Sequence, residues 1–292
     1  MLYRTATSCT SVLTYKTMVT EFASIVWDPS LGPFSIFGYE IRYYSLCWVI
    51  GLLGAYLIVK KLYKKQGVKE ELFEPLFMYC FVGILVGARL GHCLFYQPDY
   101  YLSHPLEMIL PIRNTAEGIK FTGYEGLASH GGVIGVIIAL ILYKRKTKLK
   151  MVWTLDNIAV AAPFFASMVR LGNLMNSEII GTVTDKPWGF IFVRTGDLTP
   201  HHPAQLYEAI AYAVIFLFGL LLYKNYKAKT GTGLFMGYCL FTIFTFRFFI
   251  EFIKENQVAF EDGMTLIMGQ WLSIPLIITG AYFMIKGIKK SA

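Results

Sequence analysis

The sequence predicts an all-α polytopic membrane protein with seven transmembrane helices, an external amino terminus, a cytoplasmic carboxyl terminus and small external excursions. Of its 292 residues, 55% are hydrophobic and 16% are charged, whereas soluble domains carry about a quarter charged residues. The apolar residues fall in long blocks separated by short basic stretches, as expected for a chain that crosses a bilayer several times.

The apolar blocks predict seven helices long enough to cross a bilayer. They lie near 41–60, 72–96, 126–143, 152–177, 203–223, 232–253 and 265–285. Basic clusters follow the first, third, fifth and seventh blocks, with the sequences "KKLYKKQGVK", "KRKTKLK", "KNYKAK" and "KGIKK". Because cytoplasmic loops carry an excess of lysine and arginine, this alternation places the amino terminus outside and the carboxyl terminus in the cytoplasm.

The domain organisation follows from these spans. Residues 25–292 are expected to form one seven-span domain, with ordered external segments near 97–120 and 178–202 that contain proline, glycine and aromatic residues. Residues 1–24 form an amino-terminal extension. The sequence leaves open whether translation starts at Met1 or Met18, and the stretch before Met18 is expected to be dispensable if it starts at the latter.

Several function classes lose support from composition and motifs. The net charge of +8 comes largely from lysines beside the spans, which indicates topology and argues against a nucleic-acid interface. The five cysteines are scattered, so no disulfide framework or metal site is predicted. There is no serine-hydrolase elbow, zinc-protease motif or P-loop. Neither a metal nor an organic cofactor is indicated.

Polar residues end the fourth predicted span, in the stretch "RLGNLMNSEIIG". Arg170, Asn173 and Ser177 share one helical face, and Glu178 lies at its edge if the helix continues. Charges within a membrane are costly and usually mark a functional site, and a guanidinium suits a phosphate or carboxylate. The alternative is an internal Arg170–Glu178 pair that ties two helices together.

A second charged pair and a histidine fall near the same predicted depth. In "FRFFIEFIKEN", Arg247 and Glu251 are four residues apart on one helical face, where a simple ion pair between spans is the alternative. In "SHGGVIGV", His130 starts the third span and titrates near neutrality, so it is a candidate base. A packing role is the alternative for His130.

Two further polar groups are weaker candidates. Arg89 and His92 face together on the second span in "GARLGHCLFY", among small residues that permit close packing. "HHPAQLYEA" adds His202, Gln205 and Glu208 at the start of the fifth span. A proline-started helix with a polar first turn explains that stretch at least as well as chemistry does.

Together these stretches resemble the prolipoprotein diacylglyceryl transferase family. "RLGNLMNSEIIG" is similar to the family signature, and "SHGGVIGV", "GARLGHCLFY", "HPAQLYE", "RFFIEF" and "MGQWLSIP" resemble further family blocks in the same order. The resemblance runs from about Ile25 to the last span.

The resemblance implies a function and a location. It implies a multi-pass protein of the bacterial inner membrane that transfers the sn-1,2-diacylglyceryl group of phosphatidylglycerol to the lipobox cysteine of a prolipoprotein, which forms a thioether and releases glycerol 1-phosphate. Its expected partners are phosphatidylglycerol, lipobox peptides and the membrane, with no nucleic acid. A lipid or solute transporter that uses the same buried charges is the alternative from another class, and a lipid-headgroup transferase with a different acceptor is the alternative enzyme.

The resemblance also assigns roles to residues. His130, Arg170 and Arg247 are the expected catalytic residues. Side-chain chemistry suggests His130 as the base and the two arginines on the phosphodiester, and the motifs leave a different base open. The expected substrate-binding residues are Tyr44, Arg89, Asn173, Glu178, Gly181 and Glu251, and the two carboxylates are expected to fix the arginines. The chain departs from the family pattern at Ser177, Thr182, His201 and Ile243, where the family often has glycine, arginine, arginine and tyrosine.

Overall fold

The computed structural model describes residues 24–36, 39–110, 112–115, 118–121, 126, 128–255 and 263–290. The α-helices in these ranges are α1 (Tyr43–Lys65), α2 (Glu70–Tyr96), α3 (Pro98–Ser103), α4 (Pro105–Ile109), α5 (Ser129–Thr147), α6 (Met151–Asn176), α7 (Ala204–Tyr226), α8 (Leu234–Ile250) and α9 (Met268–Lys289). The strands are β1 (Ile25–Trp27), β2 (Phe34–Ile36), β3 (Tyr39–Ile41), β4 (Ile112–Thr115), β5 (Gly118–Phe121) and β6 (Phe190–Phe192). Short 3₁₀ turns occur at Val193–Thr195, Lys227–Lys229 and Glu251–Ile253.

Six helices of the described chain are long and apolar enough to cross a membrane, namely α1, α2, α6, α7, α8 and α9. They coincide with six of the predicted spans and make the chain a multi-pass membrane protein. The third predicted span corresponds to α5, whose last turn carries Lys144, Arg145 and Lys146. Its part from Ser129 to Tyr143 rises only about 22 Å, less than the roughly 30 Å of a bilayer core. A membrane crossing by α5, which would bring the number of spans to seven, and the orientation of the termini therefore stay predictions.

Short strands are an addition to the predicted all-α fold. β1 pairs with β6 in parallel, with Ile25 opposite Phe190, while β2–β3 and β4–β5 are antiparallel pairs. With three or four residues each, these strands are too short to show the alternation by which a strand is recognised in sequence. The β4–β5 pair lies at the end of the predicted excursion near 97–120, and β6 lies in the one near 178–202.

The chain divides into two compact units, residues 1–58 with 155–292 (unit 1) and residues 59–154 (unit 2). In unit 2, glycines let α2 and α5 approach closely. A Cβ on Gly135 would lie 1.9 Å from the carbonyl oxygen of Gly83, and one on Gly87 would lie 2.3 Å from that of Gly131. Small residues at such contacts are typical of membrane helices, where close backbone approach drives association.

In unit 1, one buried carboxylate fixes the start of α8. Asp156 on α6 is fully buried and accepts the backbone N–H groups of Gly231, Gly233 and Met236 at 2.8, 3.0 and 2.9 Å. These are donors that a helix start leaves without intrahelical partners. The contact therefore holds α6 and α8 in a fixed relative position.

The carboxyl-terminal end of α6 is held by the β1–β6 pair. The indole N–H of Trp27 donates to the carbonyl of Leu174 at 2.9 Å. Leu174, Phe190 and Phe192 are buried together, and Trp27 packs against them. This packing anchors the chain where α6 ends, beside the polar residues of the sequence signature.

The backbone immediately after α6 is strained. Ser177 has φ 56° and Ile179 has φ 58°, a left-handed conformation that is a clear outlier for a β-branched residue. The Ser177 hydroxyl is buried, with no hydrogen-bond partner among the described residues. Such strain persists only where the surrounding structure enforces it, and it is common at functional sites.

Adding one methyl group at Gly135 is expected to separate α2 from α5. Gly135→Ala should lower the thermal unfolding midpoint in detergent micelles, since overpacking a tight contact costs about 1–3 kcal/mol. Gly132→Ala is the matched control, because a Cβ at Gly132 has no neighbour closer than 3.6 Å. Equal unfolding midpoints for the two variants would show that the helix contact does not depend on the glycine.

Ser177→Gly is expected to raise stability by about 1 kcal/mol, because glycine adopts positive φ without the steric cost of a side chain. Ser177→Ala separates the two effects, since it removes the buried hydroxyl but keeps the backbone strain. Thermal unfolding in detergent should rank Ser177→Gly above Ser177→Ala. The reverse order would mean that the left-handed turn is not a strained element.

Candidate functional site

A fully buried carboxylate lies at the centre of the polar region of unit 1. The Glu208 side chain on α7 is 0% exposed, and its Oε2 lies 3.1 Å from Arg170 Nε and 3.1 Å from Lys254 Nζ. Its Oε1 accepts a hydrogen bond from the Tyr212 hydroxyl at 3.0 Å. Because a buried carboxylate is costly without partners, these contacts hold α6, α7 and the end of α8 together.

A second carboxylate extends this arrangement. Glu251 Oε1 lies 3.3 Å from Lys254 Nζ and 3.5 Å from Arg247 Nε. Lys254 therefore bridges the two carboxylates in the order Arg170, Glu208, Lys254, Glu251, Arg247. These five residues are called the charge cluster below.

Local sequence explains three of the five residues of the charge cluster. Arg247, Glu251 and Lys254 follow the spacing i, i+4 and i+7, which places them on one face of α8 and the 3₁₀ turn after it. Space for the Glu251 carboxylate depends on α9, where a Cβ on Gly269 would come within 2.7 Å of Glu251 Oε1. The amide of Gln270 donates to the carbonyl of Phe248 at 3.2 Å, which ties the start of α9 to the end of α8.

Hydrogen bonds link Arg170 to the signature residues that follow it in the sequence. Arg170 Nη1 donates to Asn173 Oδ1 at 3.3 Å, and Asn173 Nδ2 donates to Glu178 Oε2 at 3.2 Å. Asn176 Nδ2 also donates to Glu178, at 3.0 Å. Glu178 thus supports Arg170 through Asn173, whereas the sequence suggested a direct pair. The left-handed turn at Ser177 ends the helix, so Glu178 leaves the face that a continued helix would give it.

Gly181 is a backbone junction beside the charge cluster. Its N–H donates to the carbonyl of His202 at 2.9 Å, and it forms an isolated β-bridge with Lys254. A Cβ there would lie 2.6 Å from the Cβ of His202 and 2.7 Å from the carbonyl oxygen of Ile253. Gly181 therefore allows the segment after α6 to lie directly against the segment that carries Lys254.

Tyr44 lies in the same unit, on the first turn of α1. It packs on α6 two residues beyond Arg170, where a Cβ on Gly172 would lie 3.0 Å from Tyr44 Cδ2. Its ring is 6.3 Å from that of Trp48.

The two remaining candidates belong to unit 2. Arg89 is buried. It donates to the carbonyls of Glu107 and Met108 at 2.6 and 3.3 Å, and its guanidinium lies 4.8 Å from the centre of the Tyr101 ring. These contacts tie α2 to α3 and α4. His130 is the second residue of α5 and is exposed.

The structure thus brings together most of the candidates that the sequence offered. Unit 1 contains Tyr44, Arg170, Asn173, Glu178, Gly181, Arg247 and Glu251, and unit 2 contains Arg89 and His130. The sequence analysis missed Lys254 and gave Glu208 no specific role. The i, i+4, i+7 spacing was a usable signal for Lys254. Pairing of Glu208 with Arg170 and Lys254 had no signal, because it joins distant parts of the chain.

The electrostatics of the charge cluster favour an anionic ligand. It contains three cations and two carboxylates in contact with one another, which leaves one positive charge uncompensated within these pairs. The Arg247 side chain is 36% exposed, whereas that of Lys254 is 2% exposed. Arg247 therefore offers donors at the open side of the charge cluster, and guanidinium groups suit the oxygen atoms of a phosphate.

The chain is similar to known proteins over most of its length. The family model described as "Prolipoprotein diacylglyceryl transferase" matches residues 32–286. A relative from Bacteroides fragilis named phosphatidylglycerol–prolipoprotein diacylglyceryl transferase is 60% identical over 92% of this chain and 97% of its own length. Relatives of the same name from Porphyromonas gingivalis and Chloroherpeton thalassium are 43% and 40% identical, each over 91% of this chain and 96% of their own length. The chain belongs to the prolipoprotein diacylglyceryl transferase family.

Proposed function

We propose that this chain transfers the sn-1,2-diacylglyceryl group of phosphatidylglycerol to the lipobox cysteine thiol of a prolipoprotein, forming a thioether and releasing glycerol 1-phosphate. The relatives named as phosphatidylglycerol–prolipoprotein diacylglyceryl transferases support this reaction. The observation that carries it is the charge cluster, whose unbalanced positive charge suits the single negative charge of a phosphodiester.

In this proposal the arginines contact the lipid and the other charged groups position them. Arg247 and Arg170 bind the phosphodiester oxygens. Glu251 orients Arg247, while Glu208 and Asn173 orient Arg170. Lys254 is held between the two carboxylates and keeps them from competing with the lipid for the arginines. Tyr44 and Asn173 orient the headgroup, and Glu178 supports Asn173.

The reaction is a displacement at a primary carbon. The cysteine sulfur forms a bond to the glyceryl carbon, and the bond from that carbon to the phosphate oxygen breaks. Negative charge grows on the departing phosphate, where preorganised cations stabilise it in the transition state. The thiol proton must also be removed, because a free cysteine with a pKa of about 8.5 is mostly protonated at neutral pH.

His130 is the proposed acceptor of the thiol proton. Its exposure at the start of α5 leaves it accessible, and a histidine near neutral pH serves as a general base. Arg89 is proposed to contribute to substrate binding. Because Arg89 contacts Glu107, Met108 and Tyr101, it would contribute by shaping the region beside α4.

The proposed setting is the bacterial inner membrane. Alternation of basic clusters supports seven spans, with α5 as the third, an external amino terminus and a cytoplasmic carboxyl terminus. Residues 25–292 are proposed to form the transferase domain, whose first strand starts at Ile25. The proposed dispensable extension, residues 1–24, lies almost wholly outside the described residues.

The direct test is transfer to a lipobox peptide. Purified protein in phosphatidylglycerol micelles should add the diacylglyceryl mass to the peptide cysteine, as measured by mass spectrometry. Arg170→Ala should reduce kcat/KM about 10²–10³-fold, the usual loss for one donor to a developing oxyanion. If the wild-type protein leaves the peptide mass unchanged, the proposed reaction is wrong and a transporter remains as the alternative.

Arg145→Ala is the matched control for this experiment. Arg145 is an exposed arginine in the last turn of α5, so its removal should leave transfer unchanged. Thermal unfolding of both variants shows whether Arg170→Ala remains folded. Normal transfer by folded Arg170→Ala would remove Arg170 from the active site.

His130→Gln should lower kcat about 10²–10⁴-fold, the usual contribution of a positioned base, with little change in KM for phosphatidylglycerol. His104→Gln is the control, since His104 is exposed and stacks on Tyr100 with ring centroids 4.6 Å apart. Both variants are assayed with the labelled lipid and a lipobox peptide. Near-normal kcat for His130→Gln would mean that another group accepts the thiol proton.

A further inference from the structure

His201 is a buried histidine that the proposed reaction does not use. It is 1% exposed and lies in the segment between β6 and α7. Its backbone is fixed on both sides, because its N–H donates to the carbonyl of Phe190 and its carbonyl accepts the N–H of Phe190. Its ring therefore has a defined position, and the groups around each ring nitrogen determine what the ring can do.

Acceptors surround both ring nitrogens. Nδ1 lies 2.9 Å from the carbonyl oxygen of Gly181 and 3.1 Å from Glu255 Oε1. Nε2 lies 3.0 Å from Asp197 Oδ2 and 3.0 Å from the Thr199 hydroxyl oxygen. The Thr199 hydroxyl donates its hydrogen to Asp197 Oδ1 at 2.8 Å, so it presents a lone pair to the ring.

A neutral imidazole carries one N–H and one lone pair. With acceptors at both nitrogens, a neutral ring would direct its lone pair at a carboxylate or a carbonyl oxygen. The imidazolium donates at both positions, to the Gly181 carbonyl and the Asp197 carboxylate, and its charge attracts the Glu255 carboxylate as well. Hydrogen bonds from Thr199 and His201 also hold the pKa of the Asp197 carboxyl below its usual range, so this partner stays negative.

The other charged groups nearby have partners elsewhere. Lys254 directs its ammonium to Glu208 and Glu251. Burial and the charge of Lys186 lower the pKa of His202, and Asp185 pairs with Lys186 at 3.6 Å. Among the described residues, Asp197 and Glu255 are therefore the charged groups that contact the His201 ring.

We propose that His201 is a positioning residue that acts as a protonated clamp, holding Lys254 in the charge cluster through Glu255 and Gly181. The clamp joins the segment after α6 to the segment after α8, where Glu255 N–H reaches the carbonyl of Ile180 at 3.3 Å and Gly181 pairs with Lys254. Glu255 directly follows Lys254, so contact of its carboxylate with the imidazolium fixes the backbone that carries the ammonium. This inference rests on the proposed function.

The clamp makes lipid binding dependent on pH in a defined direction. The protonated ring is the form that both carboxylates stabilise, so its contribution is complete at low pH and is lost as the ring deprotonates with rising pH. Loss of one charge-assisted hydrogen bond corresponds to about a tenfold change in an equilibrium. The apparent KM for phosphatidylglycerol should therefore rise about tenfold with pH through loss of the clamp.

The test compares wild type with His201→Arg between about pH 5 and pH 8, the range in which a histidine changes charge. A guanidinium keeps its charge over this range and donates in several directions. The ratio of wild-type to His201→Arg KM cancels ionisation of the thiol and of His130. This ratio should rise about tenfold with pH. A constant ratio, or a His201→Arg protein that does not fold, would overturn the clamp.

Two further variants separate charge from packing. His201→Gln has no charge to lose, so its KM should be raised about tenfold at every pH. Asp197→Asn removes one stabilising carboxylate while Asn Oδ1 still accepts from Thr199, so the rise in KM should begin at lower pH. An Asp197→Asn profile that coincides with that of wild type would contradict the cationic clamp.

Thermal unfolding tests the clamp independently of lipid transfer. The unfolding midpoint of the wild-type protein should fall relative to that of His201→Arg as the pH rises, in the same range as the change in KM. If no protein transfers lipid, the proposed function fails while this stability difference still reports on the clamp. Parallel stability curves would reject the clamp even if transfer is normal.

Discussion

The burial of Glu208 is the constraint on which the rest of unit 1 depends. A carboxylate with a side chain that is 0% exposed is tolerated only if cations and donors replace its water. Three side chains take this role. They are Arg170 on α6, Lys254 after α8 and Tyr212 on α7 itself. Removing one partner of such a buried pair costs about 3–5 kcal/mol, so the ends of these helices must keep their relative positions for the fold to survive.

Close backbone contacts make that requirement achievable. Gly181 and Gly269 leave no space for a side chain at the two points where other segments meet the turn that holds Glu251 and Lys254. The left-handed residues Ser177 and Ile179 turn the chain sharply after α6, so that Gly181 reaches this turn. The strain is therefore a consequence of bringing the end of α6 and the end of α8 together within a few residues.

Local periodicity accounts for what the sequence predicted well. The Arg247–Glu251 pair and the Arg170–Asn173 contact both follow from residues three or four apart on a helix, and apolar blocks located six helices of membrane-spanning length. The contacts that sequence could not supply join distant segments, such as Lys254 with Glu208. Glu178 left its predicted face because of one residue with positive φ, and strands of three residues carry no detectable pattern. The roles of His130 and Arg89 stay predictions, suggested by the chemistry of histidine, the spacing of Arg89 and His92 and the resemblance.

The charge cluster is most buried at its centre and more exposed at the two arginines that end it, and this difference separates scaffold from ligand contact. Glu208 and Lys254 side chains are 0% and 2% exposed, that of Arg170 is 14% and that of Arg247 is 36%. Electrostatic interactions are stronger where water is excluded, so the buried pairs are the least exchangeable. The more exposed Arg247 guanidinium keeps donors accessible to the oxygen atoms of a phosphodiester. An anionic headgroup is therefore expected to bind at Arg247 and Arg170 without separating Lys254 from its two carboxylates, which lets the site recruit lipid and keep its geometry through turnover.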